Sequence, residues 1–184
     1  MIDRPTGRLP LANMVADGVN VLPAGAAEAW LRRHAGKLLE LGPEPPTPAM
    51  LAARRYEITT LLEDLVDGRA PDELLATAMK LYDALAHLAL RAASAWTGTG
   101  KHLARRLRAV APVLADDLVA AMAAIIPQPE DGKRRFTTAV DRMLAPHGGP
   151  LLEGYRLAAP AEWRSAGVAF AEDEAAGRTR RTAE

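Results

Sequence analysis

Proline opens one apolar-periodic run after another in this chain, and glycine closes several of them. Proline lacks an N–H and has a fixed φ, so a helix accepts it in its first turn and breaks around it later. Glycine reaches the left-handed conformation that ends a helix. Pro48 follows the natural N-cap Thr47, Pro71 precedes Asp72 and Glu73, and Pro112 opens a third run; Gly18, Gly42 and Gly68 each end one. Between these marks the apolar residues recur every three or four positions, as on one face of a helix. A chain cut this way folds as several helices joined by short loops, for which an up-and-down bundle is the natural architecture.

The expected bundle helices cover 24–41, 48–67, 71–96, 101–110, 112–126 and 133–144, and 11–17 could form a short helix ahead of them. Trp30, Leu31, Leu38, Leu39 and Leu41 cluster near one face of the 24–41 helix. Leu51, Ile58, Leu61, Leu62, Leu65 and Val66 give the 48–67 helix its buried stripe. The expected fold is therefore all-α: an up-and-down helical bundle of five to six helices. One exception stands near the start, where Val19, Val21 and Leu22 alternate with Asn20 and read as one short N-terminal strand. A lone strand leaves its edges unsatisfied and needs a partner. Residues 1–22 are thus an irregular lead-in with a short strand, 23–157 the helical bundle, and 158–184 a polar tail, disordered from about Arg178.

Roughly a fifth of the 184 residues are Ala, and Phe, Trp and Tyr together make up 4%. Alanine favours helices but buries little area, so the core must rest on Leu, Val, Ile and the three Trp. A thin core leaves room for a partner surface, including a homo-oligomer. The 23 basic and 23 acidic residues cancel, which excludes a general nucleic-acid coat, so no DNA partner is expected. There is no Cys, hence no disulfide and no thiolate metal site. No apolar run approaches the ~20 residues a bilayer requires, and the first ten residues lack the apolar stretch of a signal peptide, so the expected location is cytoplasmic.

Thr97-Gly98-Thr99-Gly100-Lys101 invites a phosphate-loop reading, but Ala95 stands where that motif needs Gly, His102 follows the lysine, and a helix precedes the loop instead of a strand. Lys101 remains at a helix N-terminus, where backbone N–H groups and an ammonium can hold an anion. Lys101, Arg105 and Arg108 share a helix face, with Arg106 beside them. On the 48–67 helix, Arg54, Glu57, Glu63, Asp64 and Asp67 give a mostly acidic surface. Glu57 and Asp64 lie two turns apart, so their carboxylates point the same way, and either could serve as general base toward a hydroxyl. Arg142 and His147 have the spacing of the arginine–histidine pair in helical ribonuclease toxins. His34, His87 and His102 show no metal-ligand spacing.

Four segments, taken in order and with their spacing, resemble the C-terminal helical domain of bacterial nucleotidyltransferases of the kanamycin-nucleotidyltransferase type. They are Asn13–Val19, Arg55–Leu65, Trp96–Leu103 and Leu144–Arg156, and the resemblance covers roughly residues 8–157. In that family a mixed α/β palm with a Gly-Ser motif and an Asp-x-Asp pair binds two Mg²⁺ ions, and the helical half shapes the acceptor pocket. This sequence has no such palm motif, and Asp116-Asp117 sits inside an apolar helix. The resemblance therefore implies an acceptor-binding domain of a nucleotidyltransferase-like system, not catalytic alone, with no cofactor of its own. Mg²⁺ and a nucleoside triphosphate would enter only with a palm from a separate catalytic subunit, to whose sheet the strand at 19–22 would add. The implied substrate-binding residues are Glu57, Glu63, Asp64 and Lys101, with Glu57 or Asp64 the candidate base and no metal ligand. Two other readings are open: a ribonuclease toxin resting on Arg142 and His147 and paired with a minimal nucleotidyltransferase, and a pure protein-interaction module.

Overall fold

The computed structural model describes residues 7–21 and 25–158. Seven α-helices form among them: α1 (Pro10–Asp17), α2 (Ala26–Leu41), α3 (Pro48–Asp67), α4 (Pro71–Ala92), α5 (Lys101–Val110), α6 (Pro112–Ala124) and α7 (Pro129–Leu144), the last followed by a 3₁₀ turn at Ala145–His147. The class is all-α; the short segment named at 11–17 forms α1, and six helices follow it where a bundle of five to six was expected.

The prolines act as their chemistry requires, whereas of the three closing glycines Gly42 alone takes a positive φ, +68°, and Gly18 and Gly68 end their helices with negative φ and extended ψ. Thr47 Oγ1 accepts the Met50 N–H at 3.2 Å, capping α3 above Pro48. Glu73 in the first turn of α4 accepts the N–H groups of Arg69 and Ala70 at 3.2 and 3.1 Å. Lys133 of α7 donates to the Val66 and Gly68 carbonyls at 2.9 and 3.0 Å, an ammonium set at the negative end of the α3 dipole. Arg32 of α2 does the same for α1, donating to Gly18 O at 2.9 Å and to Val15 O at 3.3 Å.

Helices α3 to α7 enclose the main core. Ile58, Leu81, Leu85, Leu118, Phe136 and Leu144 are fully buried there, and alanines 78, 86, 121 and 139 let the helices approach. The closest approach is at Gly132, where an added Cβ would meet Ile125 Cα at 2.6 Å. Only glycine lets α7 lie this near α6.

Helices α1 and α2 pack on each other and form a second, smaller cluster of Leu9, Ala12 and Ala35, closed by Trp96. Trp96 was expected inside α4. Instead α4 stops at Ala92, Ser94 turns the chain at φ 53°, and Trp96 reaches back to donate its indole N–H to Leu39 O at 2.9 Å. Thr97 donates its N–H and its hydroxyl to Gly7 O at 2.7 and 3.0 Å. Gly7 has φ +73°, and a Cβ there would stand 2.7 Å from Arg91 Nη1. The loop between α4 and α5 thus ties α1 and α2 to the bundle.

The short strand does not form at 19–21, which is irregular backbone, with Val19 88% and Val21 92% exposed. Alternating apolar residues make a strand only where a partner supplies the ladder. Leu22, the polar tail from 159 on and Trp163 lie outside the described residues. The five-residue apolar cluster expected on α2 also divides: Leu38 and Leu39 pack inward, while Trp30, Leu31 and Leu41 are about half exposed or more. No described helix is long and apolar enough to cross a membrane.

Candidate functional site

Where α3 crosses α4 the surface opens into a groove of about 430 Å³, floored by Leu51, Ala53 and Leu88 and entered past Pro46 and Met50. Four ionisable groups border it: Arg54 and Glu57 from α3, His87 and Arg91 from α4. They arrive there because 50, 54 and 57 share one face of α3 and 87, 88 and 91 share one face of α4.

The electrostatics differ from the mostly acidic surface expected on α3. Arg54 Nη1 donates to Glu57 at 2.5 Å, so the carboxylate already has a cation beside it. Arg91 is nearly buried and donates to Glu44 O at 2.5 Å, holding the 42–46 segment against α4. His87 is mostly buried, and burial pushes its imidazole below the ordinary value of 6.5, with the Asp83 carboxylate 3.5 Å from Nε2 opposing that shift and Arg54 adding to it. At neutral pH the ring is therefore neutral. A neutral imidazole keeps one lone-pair nitrogen, the chemistry needed to take a proton from a hydroxyl or a water.

Of the residues read from sequence, Glu57 borders this groove. Glu63, Asp64 and Lys101 are exposed and do not line it, so the four expected contacts are not gathered at one place. The basic cluster on α5 also disperses. Arg106 turns inward to Trp96 O at 3.1 Å and Asn13 Oδ1 at 2.6 Å, and Arg108 pairs with Asp116 at 2.7 Å. Arg142 pairs with Asp117 across α6 and α7 at 2.5 Å, while His147 sits in the 3₁₀ turn that ends in Gly148 at φ +96°. Asp116 and Asp117 are thus each engaged by an arginine. No three His, Asp or Glu side chains converge among the described residues.

His87 is the residue that sequence reading passed over. The groups it shares the groove with, Arg54 and Glu57, lie on another helix, and the local signal was Asp83 one turn earlier.

The four segments that carry the family resemblance come together in pairs. Asn13 meets Arg106 just beyond Trp96–Leu103, as above. Arg55 donates to Gly149 O and Gly148 O, both at 2.8 Å; Thr59 Oγ1 accepts the Leu151 N–H at 3.0 Å; and Tyr56 stacks on Tyr155 at 4.4 Å. These residues hold the chain after α7 against α3, a structural task that accounts for their types without a ligand. Comparison of the chain with protein-family models, with curated proteins and with solved structures finds no match.

Proposed function

We propose that this chain is the acceptor-binding helical domain of a nucleotidyltransferase-like system, receiving a small polar acceptor in the α3–α4 groove. The observation that carries this reading is the pairing of a half-exposed carboxylate, Glu57, with a largely buried neutral imidazole, His87, on one groove. An acceptor ammonium would replace Arg54 against Glu57, and an acceptor hydroxyl would present its proton to His87. The resemblance of 8–157 to the helical half of such enzymes supports the same role. The metal-activated half of the chemistry, with Mg²⁺ and the nucleotide, belongs in this reading to a palm outside residues 1–184. Arg142, already paired with Asp117, makes the ribonuclease reading the weaker one.

Calorimetric titration with an aminoglycoside tests it. Binding is expected, weakened about tenfold or more by Glu57→Gln, since a charged hydrogen bond contributes roughly 1.5–3 kcal/mol. No binding at millimolar ligand, or equal binding by Glu57→Gln, contradicts the proposal. So does nucleotidyl transfer by the chain alone with MgATP.

A further inference from the structure

On the side of α4 away from His87, the ends of α4 and α7 and the start of α6 frame a recess of about 470 Å³. Ala89 and Ala139 are buried at its floor, and Ala92, Ala111, Val113 and Met143 line its walls. Leucines fill such space elsewhere in the bundle; here small side chains leave it open. Among the described residues, Arg142 is the one ionisable group that lines it. Arg142 also lines a second recess of about 320 Å³, together with Asp117, Asp131, Arg134, Arg135 and Thr138. Positions 131, 134, 135, 138 and 142 follow one row along α7, and 139 and 143 lie on the flank beside it. The apolar recess and the charged one therefore meet at Arg142.

In the charged recess each guanidinium is held by a carboxylate. Asp131 accepts from Arg134 Nη2 and, at 2.6 Å, from Arg135 Nε, and Asp117 accepts from Arg142 Nη2 at 2.5 Å. An arginine carries five N–H donors, and each of these gives one to its aspartate, so most of the donors remain for another acceptor. Three guanidiniums against two carboxylates leave one positive charge in excess. We propose that the two recesses form one binding site for a free amphiphile with a phosphate monoester head. Its apolar chain lies in the alanine-lined recess, and its head accepts from Arg142 and from the arginines one and two turns earlier. A phosphate offers three terminal oxygens and nearly two negative charges, so it can bridge two guanidiniums, whereas a carboxylate matches the fork of one. The apolar recess has the volume of a site for one small molecule, which suits a monomeric amphiphile and not a bilayer.

Calorimetric titration of the full chain with decyl phosphate, kept below the concentration at which it forms micelles, tests this. One-to-one binding in the micromolar range is expected. Arg142→Ala should weaken it about tenfold or more, because charge-assisted bonds to the head are lost. Val113→Glu puts a carboxylate on the apolar rim and should weaken it similarly. Residue 113 lies in the first turn of α6, where the helix dipole accepts an acid, so the urea midpoint should be kept. Inorganic phosphate, without the chain, should bind roughly a hundredfold more weakly or less, and decanoate about tenfold more weakly than decyl phosphate. Decyltrimethylammonium, with the same chain and a cationic head, should not bind. No binding of decyl phosphate at millimolar concentration overturns the proposal, as does binding that both variants leave intact. Equal binding of inorganic phosphate or of decyltrimethylammonium overturns it too, and equal binding of decanoate overturns the phosphate head.

Discussion

The bundle of α3 to α7 and the pair α1–α2 are made from the same few residue types, yet they are held by different forces. In the bundle, alanines let helices approach while Leu, Ile and Phe136 fill the space between them, and twelve large side chains are buried completely. The α1–α2 pair buries Leu9, Ala12 and Ala35, and of these only Leu9 is large. Its fourth member, Trp96, comes from the bundle's own loop. The pair is attached by directed hydrogen bonds, from Trp96 to Leu39, Thr97 to Gly7 and Arg106 to Asn13. Hydrogen bonds each add about 1 kcal/mol net, whereas a fully buried Leu or Phe adds roughly 1.5–3 kcal/mol. The bundle should therefore set global stability, and the pair should open first.

The sharpest break of this contrast is Phe136→Ala, which empties the centre of the bundle. It should cost about 3–5 kcal/mol and lower the urea midpoint of the whole chain. Trp96→Ala should act on one side only. The local opening free energy of α1 and α2 should fall by roughly 3 kcal/mol, read as lost amide protection, while the bundle midpoint moves by less than ~0.5 kcal/mol. Equal losses in both regions would show that they are one cooperative unit. Gly132→Ala pushes a methyl into Ile125 where α6 meets α7, and should destabilise by about 1–3 kcal/mol in equilibrium unfolding.

The smallest effect is expected from His87. Its folded pKa lies below the ordinary 6.5, so the unfolded chain binds the proton more readily. The stability that comes from keeping the ring neutral is complete above 6.5 and is lost as pH falls through the lowered value. His87→Gln should flatten unfolding midpoints measured between pH 7 and 5; an unchanged slope would show that His87 is not the group responsible. Below that window Glu28 and Asp131, both held under the usual carboxylate range by arginines one turn away, take over the acid dependence.

The bundle was legible in the sequence because each of its signals is local. Pro48, Pro71 and Pro112 mark helix starts whatever the tertiary context, and Ile58, Leu65, Leu81 and Leu85 repeat at helical spacing along one face. Helix α2 was misread because it carries two apolar faces, and sequence cannot say which one meets α1. Trp96 was assigned to α4 because its spacing fits; the turn at Ser94, which carries no glycine, gave no warning. The strand at 19–22 was a pattern without a partner. Of the site, Glu57 and its neighbour Arg54 were visible. The groove exists where α3 crosses α4, and His87 reaches it through that crossing and not through any spacing in the chain. Glu63, Asp64 and Lys101 have the right chemistry on surfaces that do not converge.

Native-state hydrogen exchange, amide by amide across a urea series below the unfolding midpoint, measures the division most directly. Amides of α1 and α2 are expected to exchange through small openings that urea barely affects, at a free energy well below the global value, while those of α4, α6 and α7 exchange only with complete unfolding. One common opening free energy from α1 to α7 would contradict the account.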